Sequence, residues 1–311
     1  MNDNNLEESD SWVNRGVELY KQGKYGEAIA FFNKAILLQP KNVNALKQKG
    51  NTLLCLNREK EAIACYTKMI KINPNNTDAW NNKGIVLGNL GRKKEAIDCF
   101  EKALNLSPND AEILNNIGVH LYHLDKKEEA LKCYDKALEF NQRDADFWFN
   151  RGIVLRELKE YEEALISYDK SLELNSTDAE IWNNKGLVLF DLCRNEEAIN
   201  CFDVSIKINS NSEKSWCGKG NTLYDLGKKN DAIECYGKAI EINSKFWCAW
   251  NNKGVALSDL GSNDEALECF EKALELDMNN VDVLQNKGDI LCDLGRNEEA
   301  IACYKKAKDL L

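Results

Sequence analysis

The sequence predicts an all-α solenoid of nine antiparallel helix–turn–helix units, and three observations carry that prediction. First, the same residue pattern returns every 34 positions, nine times, with no insertion or deletion. Units start at residues 9, 43, 77, 111, 145, 179, 213, 247 and 281. Second, certain positions never vary in type: position 8 is glycine (Gly16 through Gly288), position 11 leucine (Leu19 through Leu291), position 20 alanine (Ala28 through Ala300) and position 24 Phe or Tyr (Phe32 through Tyr304). Third, the apolar residues between these landmarks follow helical spacing. A fixed period of this length marks an array in which each unit contacts mainly its neighbours. Such an array offers a long surface rather than a central cavity.

Within a unit, positions 1 to 14 form helix A, as in AWNNKGIVLGNL (79–90), with its apolar stripe at positions 4, 8, 11 and 14. Position 15 is often glycine (Gly23, Gly91, Gly227, Gly261, Gly295), a helix terminator. Helix B reads KKEAIDCFEKALNL in the third unit, with its stripe at 20, 21, 24, 27 and 28. The residue before each following helix A is a usual N-cap type at seven of eight links: Asn42, Asn76, Asp110, Asp144, Asp178, Ser212 and Asn280. An acid often follows in the first turn, favourable against the helix dipole. Neither helix buries its stripe alone. Gly at 8 and Ala at 20 are expected to let the two helices approach, with the aromatic at 24 filling the space beyond. The tryptophans at position 4 (Trp12, Trp80, Trp148, Trp182, Trp216, Trp250) belong to the same packing.

Residues 9–311 read as one uninterrupted array; residues 1–8 are polar and expected to be frayed. They lack the regions of a signal peptide, and no apolar run is long enough to span a membrane. A cytoplasmic protein without a membrane partner is expected. The net charge of −10 and the mixing of basic with acidic residues argue against a nucleic-acid partner. Seven of the twelve cysteines occupy position 23 (Cys65, Cys99, Cys133, Cys201, Cys235, Cys269, Cys303), one per unit, and no C-x-x-C occurs. They read as small buried side chains in a reducing compartment, not as metal ligands. The only histidines, His120 and His123, sit three apart on one helix, and no carboxylate or thiol in the pattern completes a metal site. No phosphate loop is present. No catalytic residue, metal or cofactor is expected.

The pattern resembles the tetratricopeptide repeat (TPR). The family signature W-x2-L-G-x2-Y…A-x3-F…A…P is matched by WNNKGIVL…AIDCFEKALNLSP from Trp80 to Pro108, and the resemblance covers residues 9–311. Position 7 departs from it, being Lys or Arg in eight units where the signature has Leu. A lysine stem can cover apolar surface while its head stays wet. The closing proline survives only as Pro40, Pro74 and Pro108. The resemblance implies a right-handed superhelix whose A helices line the concave face through positions 2, 5, 6, 9, 12 and 13.

Those positions supply the candidate site. Position 6 carries Asn14, Gln48, Asn82, Asn116, Asn150, Asn184, Asn252 and Asn286, broken once by Gly218. Asparagine is a mediocre helix former, so its return asks for a reason. A carboxamide can both donate to and accept from a peptide unit, and the series is similar to the asparagine ladder of O-linked N-acetylglucosamine transferases. That resemblance implies capture of an extended peptide. The alternative is that each Asn bonds a neighbouring helix. At position 13 the acids Glu157, Asp191, Asp225, Asp259 and Asp293 run in succession and would attract a basic segment; the alternative is a solvated face. Positions 5 and 12 add Tyr20, Tyr122, Phe149, Phe190 and Tyr224, which either pocket a ligand side chain or pack between repeats. The family's clamp for a chaperone C-terminal carboxylate is matched by Lys47, Asn51 and Asn82, but Glu112 and Asn116 stand where its second half needs cations. Phe246 and Trp247 at an inter-unit turn suggest a contact patch, or tighter local packing. In α-helix B of the last unit, Ile301, Tyr304 and Leu310 have no following helix to cover them. The expected function is a non-catalytic adaptor that binds an extended, basic peptide. The alternative is a structural scaffold or self-assembling solenoid that uses its ends, including the last helix, and the Phe246/Trp247 patch.

Overall fold

The computed structural model describes residues 3–310. Among them eighteen α-helices and no strand occur. The contacts gather in two compact units that divide between Gln142 and Arg143. The first holds α1 (Asp3–Lys21), α2 (Tyr25–Leu38), α3 (Val43–Leu54), α4 (Glu59–Ile72), α5 (Thr77–Asn89), α6 (Lys93–Leu106), α7 (Ala111–Tyr122) and α8 (Lys127–Phe140). The second holds α9 (Ala145–Glu157), α10 (Tyr161–Leu174), α11 (Ala179–Asp191), α12 (Asn195–Ile208), α13 (Glu213–Asp225), α14 (Lys229–Ile242), α15 (Trp247–Ser258), α16 (Asn263–Leu276), α17 (Val281–Asp293) and α18 (Asn297–Asp309). In each unit an odd-numbered helix packs most heavily on the even-numbered one after it, making the A/B hairpin, and each hairpin leans on the next. Helix α1 begins at Asp3, ahead of the first repeat at Ser9, while residues 1 and 2 lie outside the described residues.

The hairpin is held by one interlock. A Cβ placed on the glycine at position 8 would meet the position-24 ring of the same hairpin at 2.4 Å in Gly16–Phe32 and at 2.8 Å in Gly186–Phe202. All nine glycines at this position face that ring in the same way. The ring therefore fills the hole the missing side chain leaves, rather than space beyond the helix contact. Burial of Phe32, Phe100, Phe202 and Phe270 is essentially complete.

Each A helix ends in a Schellman turn. The position-16 N–H donates to the carbonyl of the invariant leucine, as in Arg92 N to Leu87 O at 2.9 Å, and the position-15 N–H donates to position 12, as in Gly91 N to Gly88 O at 2.8 Å. The turn forces position 15 into the left-handed region. Five glycines adopt it without cost, but Asn57, Asp125, Lys159 and Cys193 take it too, with φ of 54° to 62°. A helices begin as expected: all seven cap residues accept a backbone N–H through their side chains. B helices begin without a side-chain cap. There, Arg58, Arg92, Arg194 and Arg296 instead fold onto Glu61, Glu95, Glu197 and Glu299 three residues on, each with two N–H···O bonds of 2.7 to 2.9 Å.

The tryptophans at position 4 are half-buried rather than central to the core. Trp80, Trp182, Trp216 and Trp250 donate their indole N–H to a carbonyl six residues back, in the preceding link, at 2.9 to 3.2 Å. Truncation to Ala should thus cost roughly half the 3–5 kcal/mol of a fully buried ring. The lysines at position 7 cover these rings, with Nζ 5.7 to 5.9 Å from the centroids of Trp80, Trp182 and Trp216. Lys185, Lys219 and Lys287 also reach back to Asp169, Asp203 and Glu271 of the preceding B helix, at 2.5, 2.6 and 2.9 Å. The departure from the family signature at position 7 is thereby a staple between hairpins.

Candidate functional site

The second unit brings several of the expected groove residues into one pocket. Phe190 comes from the end of α11, Asn221, Tyr224 and Asp225 from α13, Asn252 and Val255 from α15, and Tyr236 from α14 beneath them. The volume is about 180 Å³. Positions 6, 9, 12 and 13 of successive A helices therefore do converge, although Asn221, Val255 and Tyr236 were not singled out from the sequence. Asn221 was legible as a groove position. Tyr236 was not, because as a position-24 core ring it reaches the pocket only through the hydroxyl that donates to Asn221 Oδ1 at 3.0 Å.

The amides of position 6 divide into groups. Asn116, Asn252 and Asn286 each donate through Nδ2 to an asparagine on the preceding A helix: Asn81 Oδ1 at 3.2 Å, Asn221 Oδ1 at 2.9 Å and Asn251 Oδ1 at 2.9 Å. These three tie neighbouring repeats together. Asn184 donates to the carbonyl of Glu180 in its own helix at 2.9 Å. Gln48, Asn82 and Asn150 are half-buried, and Asn14 is exposed on α1 beside Asp10, Arg15 and Glu18. A single bond uses only part of a carboxamide's capacity, as for Asn184, whereas Asn252 also accepts from Asn251 and meets Cys217 Sγ. Gly218 interrupts the series because a Cβ there would lie 2.6 Å from the ring of Phe202.

The acids at position 13 are less uniform than their succession implies. Asp191 lies 3.4 Å from Arg156, and Asp259 lies 3.0 Å from Lys229. Asp259 also accepts from the Tyr224 hydroxyl at 2.6 Å. That hydrogen bond, then Lys229, holds the Asp259 carboxyl below the usual range. The same bond, with partial burial, pushes the Tyr224 phenol up to about 12. Asp225 and Asp293 are exposed at the ends of α13 and α17, and Glu157 is exposed at the end of α9. The offsetting cations Arg156 and Lys229 lie one repeat away in space but 35 and 30 residues away in sequence, where spacing within a helix gives no sign of them.

The remaining aromatics are split. Phe149 sits 6.0 Å from the Tyr168 ring, packing between helices. Tyr20 lies 5.4 Å from Tyr25, and its hydroxyl meets Cys55 Sγ at 3.5 Å. Tyr122 packs against His123 at 5.6 Å.

In the first unit, Lys47, Asn51, Asp78, Asn81, Asn82, Asp110 and Glu112 line a polar groove of about 320 Å³. It gathers the half-clamp positions, but Lys47 is paired with Asp78, and Glu112 supplies a negative charge. The groove is thus poorly suited to a carboxylate. His120 packs its ring over Gly88 and lies 5.0 Å from Phe100, where burial lowers its pKa. The twelve cysteines are free thiols. Phe246 and Trp247 are a correction. Both are half-buried, Phe246 against the core around Tyr236 and Ala249, and Trp247 against the core around Phe270 and Val283. Neither stands out as an exposed patch. On α18, Ile301 is 65% exposed, and Leu310 at its C-cap is also exposed, while Tyr304 is half-buried with its hydroxyl on Asp289 at 2.7 Å.

Stacked two-helix hairpins with this interlock define a helical-repeat protein. Family models of the tetratricopeptide repeat match residues 9–42, 77–110, 111–144, 145–178, 213–246 and 247–280, and further models of the same repeat match 179–212 and 269–302. The chain belongs to the tetratricopeptide repeat family. Residues 59–90 match the protein prenyltransferase alpha subunit repeat, a window that joins α4 to α5 across a hairpin boundary. No curated protein matches the chain. Among solved structures, a chain of the APC/C hetero-tetramer Cut9–Hcn1 is similar with TM-score 0.64 at 18% identity, over 91% of this chain and 56% of that one. This chain thus spans a little over half the length of that relative. Pseudomonas aeruginosa PilF is similar with TM-score 0.60 at 19% identity, over 68% of this chain and 96% of that one. YrrB, described as a TPR protein with an unusual peptide-binding site, aligns with TM-score 0.47 at 26% identity, over 59% of this chain and 95% of that one. Family membership supports a protein-interaction role, as adaptor or scaffold. No helix among the described residues is long and apolar enough to cross a membrane.

Proposed function

We propose that this chain is a peptide-binding adaptor that takes an extended, basic segment along its A-helix faces. The observation that carries the reading is the pocket in the second unit, where Phe190, Tyr224, Asp225 and Asn252 line one cavity. A mixed aromatic, amide and acidic lining matches a peptide with a basic character. Amides such as Asn82 and Asn184, which make no bond to a neighbouring repeat in the hydrogen-bond pattern above, are the ones left to bind peptide backbone. Net gain per hydrogen bond is about 0.5–1.5 kcal/mol, so replacing Asn184 with Ala should weaken a bound peptide roughly three- to tenfold. An array of extended peptides probed with wild-type chain and with the Asn82→Ala and Asn184→Ala variants tests this; unchanged binding by both variants removes the amides from the account.

A second reading, self-association, is favoured by one observation. Ile301 is 65% exposed, whereas its equivalents Ile29 and Leu267 are 7% exposed. Light scattering against concentration separates the readings: growth that Ile301→Lys abolishes supports assembly through α18, and a concentration-independent mass leaves the adaptor.

A further inference from the structure

We propose that the pocket between Phe190, Tyr224 and Asp225 is a specificity site for one arginine side chain of the bound segment; the inference rests on the peptide-binding reading above and deepens it. Size comes first. Sites for drug-sized molecules run to roughly 300–1,000 Å³, and this one measures about 180 Å³. It holds one side chain rather than a cofactor.

The lining selects which one. Phe190, Tyr224 and Val255 make most of the wall apolar or aromatic, which suits a weakly hydrated, planar cation better than an ammonium. Asp225 supplies the counter-charge. It is the last residue of α13, so the partial negative charge of that helix end adds to its own. Its neighbour Asp259 is already engaged by Tyr224 and Lys229. That leaves Asp225 as the acid lining the cavity. No ion pair joins Asp225 to another described residue, in contrast to Asp191 and Asp259.

Most of the other polar atoms are tied to one another. Tyr236 and Asn252 both donate to Asn221 Oδ1, and Asn252 Oδ1 accepts from Asn251 at 3.2 Å. The Tyr224 hydroxyl is held by Asp259, which sets the position of its ring. The cavity is therefore preorganised, and a guanidinium entering it would meet the Asp225 carboxylate bidentately.

The probe is N-acetyl-arginine methylamide, titrated against isotope-labelled full-length chain while the side-chain amide signals of Asn221 and Asn252 are followed by NMR. The neutral isostere N-acetyl-citrulline methylamide and the apolar N-acetyl-leucine methylamide serve as comparisons. Saturable shifts with the arginine compound, at least tenfold weaker with the citrulline compound and at least tenfold weaker in Asp225→Asn and Phe190→Ala, are expected. Circular dichroism confirms that both variants fold. Absent shifts, equal binding of citrulline, preference for leucine, or undiminished binding by Asp225→Asn would each overturn the assignment. The peptide array reports separately. Array peptides that bind with no dependence on Asp225 sink the arginine site alone, whereas an array without binders beside a responsive pocket sinks the extended-peptide reading alone.

Discussion

Glycine at position 8 is retained against helix propensity, because alanine there would be about 1 kcal/mol more favourable in an isolated helix. The position-24 ring reverses the balance. In Gly186→Ala the new methyl would lie 2.8 Å from Phe202, and overpacking of this kind costs typically about 1–3 kcal/mol. Urea unfolding should show Gly186→Ala destabilised, while Gly237→Ala, with nothing within 4 Å of its added Cβ, should be stabilised by up to about 1 kcal/mol. The opposite order would remove the interlock. The sequence displayed both invariants, sixteen residues apart, but not that one occupies the other's space. Another residue-scale consequence is acid sensitivity. Asp259 has its pKa lowered in the fold by the Tyr224 hydrogen bond and Lys229. Its contribution is therefore present above its unfolded pKa and is lost as pH falls through the folded value. Tyr224→Phe should be less stable than wild type near neutral pH, with the gap closing in acid. At the other extreme, the Tyr224 phenol is raised to about 12, so its stabilising share holds below the ordinary tyrosine pKa of about 10 and drains away as pH climbs toward the folded value. Parallel wild-type and variant curves across the acid range would contradict the linkage.

At the scale of the element, much was legible. The stripe KKEAIDCFEKALNL coincides with α6, and the seven cap residues cap, because both signals act within a few residues of chain. Asp178→Ala should cost about 1 kcal/mol of stability by denaturant titration, since Asp178 accepts the Glu180 N–H at 2.8 Å. The turn at position 15 gives the converse test. Lys159 sits at φ 62° and Cys193 at φ 57°, conformations that cost a non-glycine residue about 1–2 kcal/mol. Lys159→Gly and Cys193→Gly should each raise Tm, and a fall would mean that those side chains make contacts worth more than the strain. What the sequence withheld at this scale was register between hairpins. The Lys185–Asp169 staple and the amide pair Asn116–Asn81 join residues 16 and 35 apart, and become visible only when adjacent helices are in place. The ladder could not be resolved from spacing for the same reason. Asn252 is tied to Asn221 of the preceding A helix, yet among the described residues no bond joins Asn82 to Asn51 at the equivalent place, so residue type alone does not settle which amides bridge repeats.

Across the molecule, two compact units of stacked hairpins carry a net charge of −10. On the proposed reading, Asp225 and Asp293, exposed at the ends of α13 and α17, would favour a basic partner. Affinity for a basic peptide should therefore fall as ionic strength rises, since exposed charges are screened beyond about 8–10 Å at physiological salt. The most direct test of the whole account is the dissociation constant of one arginine-containing peptide selected from the array, measured by fluorescence anisotropy. It would be taken for wild type, for the variants Phe190→Ala and Asn184→Ala, and for Asp169→Asn on α10, the B helix of the preceding hairpin. Weakening by severalfold in the first two variants, with Asp169→Asn unchanged, is predicted. Equal affinity in all four proteins, or loss confined to Asp169→Asn, would contradict it.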